Sequence, residues 1–544
     1  MEAVDLEAST VARTLGARGS RSLVGSADPA AELTPVAAAV LAAIPAWWSA
    51  RAARAGLTGR WLDVHSALAA PPPLVLAESP PLERDWGPLT SEEVGAAYVE
   101  SLAPATRARH GRHYTPHELA AYLWKMTKSG LGLKDPVAAI PGLIRDPACG
   151  AAALLLPALR EHLAASREVD PQLVLNRLPA LLEGIDTDPA AVWVANVVLA
   201  AEMLTTLVRV PEHRRKQLPA LARVGDGLAP DLRPARAVVL NPPYGRVRLQ
   251  EADRARFADT LFGHANLYGL FMAAAADSLD DSGVMSALVP TSFTSGRYFE
   301  PLRKKLSSST RLREIAFVRD RSGVFTSVLQ ETCLATFTRR RGRRTVVNTI
   351  GSAIEYVATV DTPTAGRPWI LPRRSDLAPV AAGAGKLGNT LADLGWRVST
   401  GPLVWNRRKG DLYARSGVGR YPIVWAADID DGSLHRDPAR ATTRYLAVVS
   451  ESDAQTMLLD VPCILVQRTT APEQARRLVA AELTADELAR AGAVVVENHV
   501  NGIRQTVPIP GLSRGLLVRI LRLATLARVV RGISVSVALS AYVL

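Results

Sequence analysis

The chain has 544 residues, 48% hydrophobic and 21% charged, which excludes a disordered protein and is too long for one core, so two or three domains are expected. Its 64 Lys and Arg against 52 Asp and Glu leave a net charge of +12, favouring a polyanionic partner, nucleic acid before an anionic membrane surface. Cys149, Cys333 and Cys463 lie far apart with no CxxC or Cys/His spacing, which argues against structural zinc or any other metal and for a reducing, cytoplasmic setting.

Residues 1–88 are rich in Ala, Arg and Leu and are interrupted by Pro71-Pro72-Pro73 and Pro80-Pro81, which predicts a small helical N-terminal region. The first residues are acidic and lack a basic segment, so no secretory signal is expected. No apolar run reads as the roughly 20 residues that span a bilayer; Val36 to Ala46 is short and broken by Pro45. No membrane contact is expected. A helix begins near Leu89, with Thr90 or Ser91 as N-cap and acids in its first turn.

From about 107 to 340, short apolar runs alternate with helical patterns. Strands are predicted at 142–145, 181–185, 237–240, 284–289, 315–318 and 332–337, and helices at 116–128, 152–166, 188–207, 266–281 and 298–307. The alternation predicts an α/β, Rossmann-like sheet with helices on both faces over 89–345. The closely spaced last strands suit an antiparallel strand at the sheet edge. The run Arg339–Arg344 reads as a solvated basic linker, continued by a linker over 346–389. Beyond it, 390–544 reads as an α+β domain with Gly/Pro-punctuated β pieces and helical stretches at 473–492 and 514–531.

Within the α/β region, five signals fall in one workable order. Tyr114-Thr115-Pro116 leads into a helix, with Thr115 as N-cap and Pro116 as its first residue. Asp146-Pro147-Ala148-Cys149-Gly150 ends a strand in a tight turn, and the Pro171-Gln172 stretch that follows is expected to be an extra loop. Asp186 comes 36 residues after Gly150, at the tip of the next strand, where an acid can accept both hydroxyls of a ribose. Asp226, between Gly225 and Gly227, is placed to accept the amino group of an adenine. Asn241-Pro242-Pro243-Tyr244 then stops the strand at 237–240, because two prolines cannot continue a ladder. Asn241 Oδ1 and the Pro242 carbonyl can each accept one N–H of a planar amine, and Tyr244 can stack on the ring that carries it. Asp146 to Asn241 spans 95 residues, about three βα units at ~30 residues each, so the tetrapeptide closes a fourth strand beside the first.

In this order the residues resemble the S-adenosylmethionine-dependent N6-adenine DNA methyltransferases of restriction-modification systems, the gamma class. The resemblance runs from about Leu89 to the C-terminus and is strongest over 107–340. It implies that Tyr114, Thr115 and Pro116 contact the methionine part of the cofactor, that Asp146, Ala148 and Gly150 line the cofactor loop, that Asp186 holds the ribose, and that Asp226 with Leu228 holds the adenine. It further implies that Asn241, Pro242, Pro243 and Tyr244 act on the target base, and that Phe325 stacks on that base's far face. The family's loop reads Asp-Pro-x-x-Gly-Ser-Gly-x-Phe, whereas here Ala151 and Ala152 follow Gly150, and their methyl groups are expected to crowd or shift the cofactor.

In the C-terminal domain, Arg407, Arg408, Lys409, Gln467 and Arg468 suit base edges and phosphates and are expected to face double-stranded DNA; His499 reads as a structural residue bonded to its neighbours. A partner endonuclease, if there is one, is a separate chain, since the first 85 residues lack a nuclease pattern, and a monomer is expected. Three alternatives stay open: N4 of cytosine as the amine, an RNA or protein-glutamine substrate, or a non-catalytic DNA-binding modification subunit.

Overall fold

In the computed structural model, residues 33–73, 85–104, 107, 114–133, 138–319, 331–364, 366–386, 389–468 and 478–533 are described. The chain divides into two compact units, the first comprising Met1–Thr291, Pro301–Arg343 and Thr364–Gly366. Its strands are β1 (Ile144–Asp146), β2 (Leu182–Asp186), β3 (Ala222–Val224), β4 (Ala235–Leu240), β5 (Leu279–Pro290), β6 (Arg311–Val318) and β7 (Thr332–Thr338). They lie side by side in the order β3-β2-β1-β4-β5-β7-β6. β1 pairs in parallel with β2 and β4, β2 with β3, and β4 with β5, while β7 runs antiparallel to both β5 and β6. The antiparallel strand is therefore interior, not at the edge as expected. A crossover from β5 sets β6 parallel to it one place further out, and β7 fills the gap.

The order reverses between β1 and β4, so the carboxyl ends of these strands flank a crevice where open sheets bind ligands. Register fixes what arrives there: Asp146 lies opposite Gly184 and Asp186 opposite Val224.

The helices are α1 (Pro35–Arg54), α2 (Ser91–Ser101), α3 (His117–Leu131), α4 (Leu156–Ala165), α5 (Pro171–Leu181), α6 (Pro189–Val208), α7 (Leu267–Asp277) and α8 (Glu300–Ser309). Thr90 caps α2 in a reciprocal box with Glu93. The stretch at Pro171 is helix rather than loop, because Asp170 caps it by accepting from the Leu173 amide and Pro171 supplies a preset first turn. α7 stops short of the expected 281, since β5 already begins at Leu279.

Two helices, α1 and α6, are each 20 residues and apolar enough to cross a membrane by length and composition, contrary to expectation. In α6 the most apolar 18-residue window is 83% buried, and residues 190–201 are buried on every side, so its apolar surface is spent on the core. Pro45 sits inside α1 without ending it, and the helix is docked by Trp47 and Trp48, whose Nε1 groups donate to the carbonyls of Leu89 and Trp61 at 2.9 and 3.1 Å. β3 is anchored from α6: the Asn196 amide donates to Ala222 O at 2.8 Å and accepts from the amides of Leu221 and Ala222 at 2.8 and 2.9 Å.

The second unit comprises Ser292–Glu300, Arg344–Pro363 and Arg367–Leu544. Residues 346–389, read as a linker, instead hold an antiparallel pair, Arg344–Ile350 with Ile354–Asp361, and the helix Ala378–Gly385. The β-branched run Thr345-Val346-Val347 explains the first strand. Further on lie a four-stranded antiparallel sheet and a five-stranded mixed sheet. The stretch 473–492 resolves into a strand, Ala480–Leu483, and a helix, Ala485–Ala491, capped by Thr484 and Glu487; 469–477 lie outside the described residues. The last helical stretch is two helices, Arg514–Leu521 and Ala524–Ile533.

Candidate active site

At the carboxyl ends of β1, β2, β3 and β4 the first unit holds a cleft. Tyr114, Thr115, Asp146, Ala148, Gly150, Asp186, Asp226, Asn241 and Pro243 all line it. Pro116, Leu228, Pro242 and Tyr244 do not, and Leu228 is fully buried behind it. Phe325 lies outside the described residues. Tyr98 and Val99 of α2, Leu102 just past it, Asp188, and Phe271 of α7 also line the cleft, although sequence reasoning gave them no such role. Asp188 caps α6 with one carboxylate oxygen and takes the Tyr98 hydroxyl on the other at 2.9 Å.

Asn241 sits where β4 ends, and two side chains hold its own. Its Nδ2 donates to Thr115 Oγ1 at 2.9 Å, and the Tyr244 hydroxyl lies 2.9 Å from Asn241 Oδ1 and 3.0 Å from the Leu288 carbonyl. Thr115 therefore does not cap α3: Pro116 is the N-cap, with no side-chain bond, and the threonine hydroxyl is turned to Asn241 instead. An amide oxygen has two lone pairs, so Oδ1 keeps one for an incoming donor. The Tyr244 ring stands edge-on to Tyr268 with centroids 6.2 Å apart.

The cofactor loop is built on two left-handed residues, Gly150 at φ 48° and Ala152 at φ 65°. Glycine takes this conformation freely, whereas alanine pays about 1–2 kcal/mol. The Ala152 methyl is fully buried and does not line the cleft, so the expected crowding by it is not found; Ala151 does line the cleft. Asp186 fastens the loop, accepting from the amides of Gly150 and Asp188 at 2.9 Å each. Gly227 permits the close approach of the third-strand loop, since a Cβ there would lie 1.8 Å from the Pro147 carbonyl oxygen.

Asp146 is fully buried, and burial with the nearby Asp186 charge pushes its carboxyl up to about 8 against the Ala148 amide that lowers it. The ordinary unfolded value is about 3.9, so between these limits the folded state holds a proton that the unfolded state has lost. The Asp146 contribution to folding stability is therefore fully present below about pH 4 and falls by about 1.4 kcal/mol per pH unit as pH rises toward 8. Urea unfolding at pH 5 and 8 measures this, and Asp146→Asn should flatten the difference.

Burial also pushes the Tyr114 hydroxyl up, and that hydroxyl has no hydrogen-bond partner among the described residues. A buried orphan donor on the wall of a cleft marks the place of a polar ligand group.

In the second unit two expected DNA contacts prove internal. Arg408 donates to Asp411, to both carboxylate oxygens of Asp453 at 2.9 Å and to Ala447 O, which uses its guanidinium to brace a loop. Gln467 is buried, and its amide donates to the carbonyls of Ala426 and Ile429 at 2.9 Å. Residue type suggested base contacts, but acceptors distant in sequence claim both side chains. Arg468 donates to Asn498 O at 3.1 Å, whereas Arg407 and Lys409 are exposed. His499 bonds to Glu497 at 2.5 Å, the local role expected of it.

Comparison with known proteins places this geometry. Residues 236–325 match the Eco57I restriction-modification methylase family. The Type II methyltransferase M.PstI of Providencia stuartii is 28% identical over 276 residues, covering 48% of this chain and 54% of that protein. M.BsuBI of Bacillus subtilis is 23% identical over 272 residues, again covering 48% and 54%. The match thus spans about half the length of these relatives. Among solved structures, the ATP-dependent Type ISP restriction-modification enzyme LlaBIII, bound to DNA, shares the fold with a TM-score of 0.51 over 81% of this chain and 39% of that one, at 11% identity. By family match and by relatives, the chain resembles the methyltransferases of restriction-modification systems, as the tetrapeptide and its neighbours imply.

Proposed function

We propose that this protein transfers a methyl group from S-adenosylmethionine to N6 of an adenine flipped out of duplex DNA, as the modification enzyme of a restriction-modification system. The observation that carries the reading is one cleft shared by Asn241 of the tetrapeptide, by Asp186 and Asp226, and by the partnerless Tyr114 hydroxyl. These groups fit the cofactor: a hydroxyl for its carboxylate end, an acid at the tip of the second strand for its ribose, and an acid between glycines for its adenine. When bound there, S-adenosylmethionine supplies an electrophilic methyl on a sulfonium.

Asn241 Oδ1 and the Pro242 carbonyl accept the two N–H groups of the target amine, which draws its lone pair out of conjugation and aims it into the cleft. Thr115 holds the Asn241 amide so that its oxygen is the acceptor presented. Tyr244 stacks on the flipped base after its ring leaves the inward position. Phe325 is the residue we assign to the other face. No carboxylate base is needed, because an amine made cationic loses its proton readily to water. Catalysis is positioning plus local polarisation.

The DNA partner is supported by the exposed cations of the second unit, Arg407, Lys409, Arg415 and Arg436. Tyr413 and Tyr445 lie directly opposite on paired strands, and Arg420 and Arg436 stand over their rings at 3.5 and 5.9 Å. Cations interleaved with aromatic rings suit a phosphate backbone. The enzyme acts as a monomer in the cytoplasm, a setting in keeping with three buried free cysteines.

The test is incubation of unmethylated duplex DNA with the protein and methyl-labelled S-adenosylmethionine, followed by digestion to nucleosides and mass spectrometry. N6-methyladenine is expected. Label in N4-methylcytosine, or none in DNA while cofactor binds, would overturn the assignment.

A further inference from the structure

Gly95 lies in the middle of α2, where glycine is the least favourable residue short of proline. Its place is explained by what it faces. A Cβ at 95 would lie 3.0 Å from Tyr114 Cε2, 3.1 Å from the Ala151 methyl and 3.4 Å from the Ala151 carbonyl oxygen. The first two distances are tighter than ordinary carbon contacts, and both neighbours are walls of the cleft.

α2 itself forms another wall, through Tyr98 and Val99, continued by Leu102 just past its end. Among the polar ties that hold it to the body of the unit, two flank Gly95. Glu92 takes Arg160 in a two-pronged ion pair, and the Tyr98 hydroxyl donates to Asp188 at 2.9 Å. Between these ties the spacing of helix and loop is set by packing, the glycine hydrogen on one side and the Ala151 methyl on the other.

We infer that Gly95 and Ala151 are a matched pair of positioning residues: the absent side chain on α2 makes room for the loop methyl and so sets the width of the cleft at Tyr114. The inference rests on the cofactor reading above.

The test is a double-mutant cycle on the full chain, with S-adenosylmethionine dissociation constants measured by calorimetry and unfolding followed in parallel. Gly95→Ala should weaken binding about tenfold by pushing on Tyr114 and the loop, although alanine is the better helix former. Ala151→Gly should weaken it about threefold by leaving the wall loose. The double variant should return to within about threefold of the wild type. A structural role alone would move unfolding and affinity together and would show no recovery. If the wild type binds and Gly95→Ala binds equally well, or if the double variant is as weak as Gly95→Ala, the pairing is overturned. If Gly95→Ala does not fold, restoration of folding by Ala151→Gly in that background supports the pairing, and failure to restore it overturns it. A wild type that binds no S-adenosylmethionine removes the cofactor reading and this inference with it.

Discussion

Asn241→Ala should lower methyl transfer by about 10³-fold, while S-adenosylmethionine and DNA binding stay within a few fold of wild type. The expectation follows from what the side chain touches. Its amide nitrogen is engaged by Thr115 and its oxygen keeps a free acceptor position at the cleft, so the residue is preorganised for a donor rather than packed as filler. Removing one preorganised hydrogen-bonding group from a reacting centre costs roughly 10²–10³ in rate, with little change in ground-state affinity. Single-turnover transfer of labelled methyl, with cofactor binding measured alongside, makes the comparison. A rate within tenfold of wild type would sink the assigned chemistry.

Gly227→Ala should abolish cofactor binding, raising the dissociation constant at least about 100-fold, and cost about 3 kcal/mol of stability. The added carbon would overlap the Pro147 carbonyl oxygen at 1.8 Å and its carbon at 2.7 Å. Both are backbone atoms of the loop that begins at Asp146, so no rotamer change can relieve the overlap, and the two loops must separate. Asp226 moves with one and Gly150 with the other. Gly245→Ala is the control, since nothing lies within 4 Å of a Cβ there and it directly follows the tetrapeptide. Equal losses in the two variants would show that the close approach is not what matters.

Most of the first unit's sheet, and the order of the site along it, could be read from the residues because strand ends carry their own chemistry. Asn-Pro-Pro, Asp-Pro and Gly-Asp-Gly each stop a strand by local geometry, and six strand segments fall where apolar runs put them. Asp146, Asp186 and Asn241 needed no tertiary knowledge beyond the βα rhythm. What stayed hidden depends on partners distant in sequence. Thr115 looked like a helix cap until its hydroxyl met Asn241, 126 residues away. Arg408 looked like a base reader until Asp453, 45 residues on, took its guanidinium. The Ala151 methyl looked like an obstruction, because nothing in the loop points to the glycine 56 residues earlier that accommodates it. Side-chain type suggests a role, and long-range pairing decides whether that role is free to be played.

The amide of Asn196 has a consequence for how the cofactor site tolerates change. β3 is three residues long, and its register is set on one side by β2 and on the other by this single side chain from α6. The connection from α6 to β3, residues 209–221, therefore does not decide where Asp226 stands. Its length can drift by insertion or deletion while the acid keeps its address, because a core helix carries the ruler.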